Sequence, residues 1–260
     1  MRKLLCGLLA AVLFCLLFPG CTVGRQQYYI PDIPINKRKT SDFSTDAKGR
    51  PTYPGAVLGV DVSDHQGNID WERVRADGVS FAILRIGYRG YTAGGLNLDE
   101  TFAGNYVQAR KAGLQVGVYF YSQAVSEAEA AEEAAYVLEL LDGVPLELPV
   151  FYDWEEVNQG RTGGKALSAV GGYAKTFCEK ISEGGYQAGA YFNQRYGYTI
   201  MHLENLKDYS LWIAEYHDAQ RFGYQTEFWQ FTGSGQVDGI ETAVDLDLMY
   251  APEVEDEKDQ

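Results

Sequence analysis

The feature that most constrains this chain is an alternation. Short β-type runs can be marked at 57–62, 81–86, 115–121, 149–153, 187–192, 210–214, 227–231 and 243–248. Helical patterns at 70–77, 99–112, 126–141 and 167–183 separate the first five. Parallel strands need long crossovers, which helices supply, and eight such runs in one domain predict a closed barrel. The last three runs are joined by segments too short or too rich in Gly for long helices. The expected fold is therefore an α/β, TIM-like (β/α)5(β)3 barrel, a single domain over 56–252. Ser126 followed by Glu129 marks a capping box, and the helix it opens places Tyr136, Val137, Leu140 and Leu141 on its inward stripe. At 260 residues and 46% hydrophobic content, the chain has material for one large core.

The flanks read differently. Met1, Arg2 and Lys3 make a short basic start, and residues 4–20 follow without a charge, the pattern of an export signal. Cys21 comes straight after it. A cysteine there resembles the lipobox of bacterial lipoproteins, with Gly20 fitting and with Phe18 and Pro19 where Leu and a small residue are usual. Lipidation at Cys21 would make this an exported, membrane-anchored protein facing the cell wall; an ordinary secretory signal is the alternative. Residues 21–55, with Pro31, Pro34, Pro51 and Pro54 around Lys37, Arg38 and Lys39, read as a flexible tether. The charged residues 253–260 read as a frayed tail. Of the four cysteines, Cys178 alone falls in the body, inside a helical pattern, where it reads as a small buried hydrophobe.

Chemistry in such barrels gathers where strands end at the C-terminal edge. Acidic residues recur there: Asp61 and Asp64 after the first run, Asp153, Glu155 and Glu156 at the fourth, Glu215 at the sixth, and Asp245 and Asp247 on the eighth. A carboxylate in a barrel mouth is unfavourable unless it is paired or used. Alternation turns Asp153 and Glu155 to one side of the fourth strand and Trp154 to the other. Two neighbouring carboxylates push one pKa up, which keeps a general acid protonated near neutral pH. Aromatic residues crowd the same ends: Tyr119, Tyr121, Tyr152, Trp154, Tyr191, Trp212, Tyr216, Trp229 and Phe231. Rings and hydroxyls beside carboxylates suit a sugar polymer, and His65 is close enough in sequence to Asp61 to line the same site.

Other chemistries find no support in the sequence. The net charge of −14 and the absence of a basic cluster argue against a nucleic-acid partner. The only histidines are His65, His202 and His217, without H-E-x-x-H or a Cys-rich ligand set, so a zinc peptidase or amidase is not expected. There is no G-x-S-x-G elbow, no Walker loop and no G-x-G-x-x-G after a strand.

From Gly59 to Tyr250 the residues resemble glycoside hydrolase family 25, the Chalaropsis-type lysozymes. Gly59-Val60-Asp61-Val62-Ser63, with Gln66-Gly67 and Ile69-Asp70-Trp71, resembles the family's opening motif. Phe151-Tyr152-Asp153-Trp154-Glu155 is similar to its D-x-E strand, and Trp212-Ile213-Ala214-Glu215-Tyr216 to its W-x-A-x-Y run. Trp229-Gln230-Phe231 followed by Val244-Asp245-Leu246-Asp247 is similar to its closing pieces. The resemblance implies a (β/α)5(β)3 barrel and a muramidase that cleaves the β-1,4 bond between N-acetylmuramic acid and N-acetylglucosamine in peptidoglycan, acting as a monomer without cofactor. It implies Glu155 as general acid, Asp153 orienting it, and Asp61 and Asp245 stabilising positive charge or placing water or the acetamido group. Substrate contacts are expected from Tyr119, Tyr121, Trp154, Tyr191, Asn193, Trp212, Glu215, Tyr216, Trp229 and Asp247.

The chain departs from the family pattern at a few places: Tyr88 stands near a family glutamate, Phe120 where many members carry His, Glu215 for a common Gln and Asp247 for a common Asn. Added negative charge at Glu215 and Asp247 is expected to raise the Glu155 pKa. Retaining, inverting and substrate-assisted routes all accommodate this carboxyl set. The alternatives to a muramidase are a wall-binding lipoprotein using the same groove, a purely structural surface protein and a chitinase-type barrel. The last would need Asp where Leu148 and Phe151 stand.

Overall fold

A computed structural model describes residues 32–165 and 167–251. The export signal, Cys21 and the charged tail at 253–260 lie outside the described residues. The chain opens with an arm carrying two short paired strands, β1 (Ser44–Thr45) and β2 (Pro51–Thr52). Then follow β3 (Val57–Val62), α1 (Trp71–Ala76), β4 (Phe81–Arg89), β5 (Leu96–Leu98), α2 (Phe102–Lys111), β6 (Gln115–Ser122), α3 (Glu127–Leu141) and β7 (Val150–Trp154). The second half comprises α4 (Val170–Glu183), β8 (Ala188–Asn193), α5 (Gln194–Thr199), β9 (Ser210–Ala214), β10 (Phe228–Gly235) and β11 (Val244–Met249). All eight expected barrel strands form, and no α-helix follows β9 among the described residues.

The sheet runs β3-β11-β10-β9-β8-β7-β6-β4, and pairing of β3 with β4 closes it, while β5 folds back on β4 as a hairpin. Six strands from β4 to β10 run parallel to their neighbours, whereas β11 is antiparallel to both β10 and β3. The (β/α)5(β)3 expectation holds. The reversed β11 offers its start, not its end, to the mouth, so Asp245 lies at the rim and Asp247 two residues deeper.

Two apolar layers follow from strand alternation. Inside the barrel, Phe81, Ile83, Phe151, Trp212 and Phe228 pack with Val57, Tyr119, Tyr191 and Met249. The Phe81 ring fills the bottom so closely that a side chain on Gly59 would overlap it, with a Cβ placed 2.2 Å from its Cζ. Outside, helices cover the first strands. α3 buries Ala130, Glu133, Ala134, Val137 and Leu141, while Tyr136 and Leu140 are half-buried at its flank. Ser126 caps it as expected, but the Glu129 carboxylate reaches the Val125 N–H at 2.9 Å rather than closing the box on Ser126. α4 buries Val170, Ala174, Phe177, Cys178 and Ile181, and the Cys178 thiol donates to the Gly189 carbonyl at 3.3 Å.

The flexible tether expected over 21–55 is corrected from Ile33 onward. Trp229, Phe231, Leu246, Leu248 and Tyr250 face outward from β10 and β11, with no helix to cover them. The arm covers part of this face: Phe43 meets Trp229 edge-on at 5.5 Å, Tyr53 meets Tyr250 at 5.5 Å, and the Arg38 guanidinium sits 3.7 Å above the Tyr250 ring. A bridge between Ile35 and Tyr224, a hydrogen bond from Asn36 Nδ2 to the Phe222 carbonyl and ion pairs of Lys48 and Arg50 with Asp77 hold it in place. The covered aromatic surface accounts for the order of a Pro- and Lys-rich segment.

Candidate active site

A cavity of about 560 Å³ opens at the C-terminal edge of the parallel strands. Its floor is aromatic: Trp212 lies 4.6 Å from the Tyr191 ring and 6.2 Å from that of Tyr119. Above the floor sit Asp61 from β3, Asp153 from β7 and Asp245 from β11, with Glu155 one residue past the end of β7. Asp61 and Asp245 are direct cross-strand partners, so two carboxyls from antiparallel neighbours meet at one register position. Tyr88, Tyr91, Tyr121, Tyr216 and His65 form the upper wall and rim, and Tyr91 and Tyr216 are more than half exposed.

Gln230 is the hub of this arrangement. Its Nε2 donates to Asp61 at 2.8 Å, and its Oε1 accepts from the hydroxyls of Tyr191 at 2.9 Å and Tyr216 at 3.0 Å. Arg85 supplies a cation at the cavity wall. It pairs with Asp99 at 2.8 Å and Asp64 at 2.6 Å, and Asp99 also accepts the Asp64 N–H.

Burial sets the electrostatics. The surrounding walls desolvate the Glu155 carboxyl and raise it although the residue still reaches solvent, and the neighbouring Asp245 charge adds to that. Asp153 is pushed well above the usual carboxylate range by burial and then by Glu155, with Arg85 opposing, and its Oδ1 is buried without a hydrogen-bond partner. Asp61 rises through burial, then through Asp247 and Asp245, against the Gln230 hydrogen bond. Asp247 is pushed up to about 8 by burial, although the Trp212 indole donates to it at 2.9 Å. The upward shift at Glu155 favours its protonated form, the form a general acid uses.

The profile of Glycosyl hydrolases family 25 matches residues 60–240. The chain belongs to this family. The autolytic lysozyme of Clostridium acetobutylicum is 28% identical over 201 residues, covering 74% of this chain and 55% of that protein. The YegX protein of Escherichia coli O157:H7 is 30% identical over 207 residues, covering 76% of this chain and 71% of that one. Among solved structures, the modular autolysin LytC of Streptococcus pneumoniae superposes with a TM-score of 0.67 at 25% identity, over 84% of this chain and 52% of that one. The chain thus spans about half the length of the first of these curated relatives and of the autolysin.

Within this family 25 barrel, Asp61, Asp153, Glu155, Asp245, Tyr119, Tyr121, Tyr191, Trp212 and Tyr216 come together around the cavity, and His65 reaches its rim. Five expected substrate contacts do not line it. Trp154 points outward, and its indole donates to the Ala124 carbonyl. Trp229 also faces out and donates to the Glu215 carbonyl. Asn193 caps α5 by accepting the Tyr196 N–H. Asp247 lies beneath the cavity, held by Trp212. Glu215 turns into its own loop, accepting the N–H groups of Arg221 and Phe222 at 2.9 Å each and Gln194 Nε2 at 3.2 Å. The expected influence of Glu215 and Asp247 on Glu155 is replaced by desolvation and Asp245.

Sequence reading did not single out Arg85, Gln230, Tyr91 or Gln66 as lining residues, and placed Tyr88 only by its proximity to a family position. The signal for Gln230 was present, because strand alternation that turns Trp229 outward turns Gln230 inward. A larger groove of about 910 Å³ on the arm side shares Tyr216 with the mouth and is lined by none of Asp61, Asp153, Glu155 and Asp245.

Proposed function

We propose that this chain is a lysozyme-type muramidase that hydrolyses the β-1,4 bond between N-acetylmuramic acid and N-acetylglucosamine in peptidoglycan, with Glu155 as general acid. The observation that carries the reading is Glu155 itself. It is a carboxyl that reaches solvent at the mouth of a family 25 barrel and is raised in pKa by desolvation from the walls around it, and the Asp153 and Asp245 carboxyls contribute to the electrostatics there. Glu155 protonates the glycosidic oxygen as the bond to the anomeric carbon breaks. Positive charge develops on that sugar ring. Asp61 shares its proton with Asp245 and Asp247, leaving Asp245, the least buried of the three, to face that charge as a carboxylate. Tyr91 and Tyr216 at the rim offer flat faces to a glycan strand crossing the mouth.

Relatives named as an autolytic lysozyme and as a modular autolysin support a cell-wall substrate. The basic start, apolar run and Cys21 support export with a lipid anchor, and palmitate labelling lost in Cys21→Ala tests that. The test of the reaction is mass spectrometry of fragments released from purified peptidoglycan, with and without borohydride reduction. Reducible muramic-acid ends are expected. Ends at glucosamine would assign the other bond, and wall binding without fragments would make the protein a binding module.

A further inference from the structure

The main chain of Glu155 stands where the sheet runs out. The ladder from β6 ends with Ser122 opposite Trp154, and the ladder from β8 ends with Tyr191 opposite Asp153. Beyond that last pair a side chain meets the Glu155 carbonyl. Gln123 is fully buried, and its Nε2 donates to the Glu155 carbonyl at 2.6 Å and to the Ser122 carbonyl at 3.0 Å. Its Oε1 accepts from the Thr162 hydroxyl at 3.0 Å, and that hydroxyl oxygen accepts the Val157 N–H at 2.9 Å. Thr162 is fully buried as well.

We propose that Gln123, backed by Thr162, is a positioning residue for the general acid, extending the β6–β7 ladder by one rung and fixing the main chain from which the Glu155 carboxyl enters the mouth. The inference rests on the reading of Glu155 as the acid. An amide suits the task because one planar group supplies both the donors and the acceptor; a carboxylate at 123 would set oxygen against the Glu155 carbonyl. The loop from 157 to 162 is itself anchored. The Arg161 N–H donates to the Tyr91 carbonyl at 2.8 Å, and its guanidinium pairs with Glu129 at 2.6 Å. The clip therefore works against a fixed support, and with it lost, two buried polar groups seek water and the acid's backbone loosens.

The test measures kcat and KM on purified peptidoglycan across pH for Gln123→Met and Thr162→Val, with Thr162→Ser as the conservative variant, Glu155→Gln as control and thermal melting of each. Neither change replaces any of the groups that face the acid, which include Asp153, Asp245, Tyr121, Tyr191, Tyr196 and Tyr216. The expected result is a fall in kcat of about 10- to 100-fold for Gln123→Met with KM little changed. The alkaline limb of kcat should move to lower pH as the loosened carboxyl loses part of the desolvation that raises it, and Thr162→Ser should stay near the parent. Parental kcat and an unmoved alkaline limb in both Gln123→Met and Thr162→Val, beside an inactive Glu155→Gln, would overturn the inference. So would lower melting temperatures with an unmoved limb. An active Glu155→Gln would instead remove the reading on which the inference stands.

Discussion

The side of the barrel formed by β4, β6, β7 and β8 is covered by helices, whereas β10 and β11 are covered in part by an arm without a helix. A helix satisfies its own backbone, so α3 and α4 can set small residues, Ala130, Ala134 and Ala174, close against the sheet. Polar groups are then admitted only as a bonded set. Glu133 on α3 accepts from Ser122 at 2.6 Å and Arg89 at 2.7 Å, and burial holds its carboxyl up at about 7. The arm has no such economy. It needs a hairpin, a bridge to Tyr224 and ion pairs to Asp77 to hold two rings, Phe43 and Tyr53, on the barrel. The two sides also divide the site, since β7 and the residue after it bring Asp153 and Glu155 while the opposite wall, β11 with β3, brings Asp245 and Asp61.

If that division is real, variants on the arm-backed side separate chemistry from stability. Asp245→Asn removes the carboxylate facing the developing charge and should lower kcat by about 100-fold while folding is kept, as steady-state turnover would show; turnover within threefold of the parent would shift that role elsewhere. Glu215→Ala should instead lower stability by about 1 to 3 kcal/mol, because the buried Phe222 N–H and the part-buried Arg221 N–H lose their acceptor, with KM little changed in the same assay. Phe43→Ala exposes the outward face of Trp229 and should cost about 1 to 2 kcal/mol in denaturant unfolding, less than a fully buried Phe because the ring is half-buried. A loss near zero would mean that the arm only lies on the barrel.

The smallest effect expected is a pH slope. The Asp247 carboxyl sits near 8 in the fold against an ordinary 3.8, so the folded chain holds a proton that the unfolded chain releases. Stability from this group is present at low pH and falls as pH rises from about 4 through about 8, the change being spread over a trio that shares its protons. Asp247→Asn should flatten that part of a melting-temperature profile, and an unchanged slope would assign the proton to Asp61 or Asp245.

The barrel was legible because its strands announce themselves by β-type runs between helical patterns, and the carboxyl set because strand ends in a closed barrel converge. Strand alternation carried further than it was taken. It placed Asp153 and Glu155 together but, applied at Trp229, would also have exchanged that ring for Gln230. The arm was not legible, because Phe43 and Tyr53 stand singly among Pro, Lys and Ser and follow no period. Glu215 and Asp247 read as contacts in the sequence because it gives position along a strand but not depth, and a reversed β11 puts Asp247 below the mouth. Gln123 carries no signal in sequence, because its role depends on where the β6–β7 ladder stops.

The measurement that tests the central claim most directly is the turnover of purified peptidoglycan by Glu155→Gln beside the parent, with circular dichroism and melting temperature matched. The amide keeps the shape of the side chain and has no proton to give. A loss of about 10³-fold or more in kcat is predicted. Turnover near that of the parent would contradict the assignment of the acid and, with it, the account of how this barrel is used.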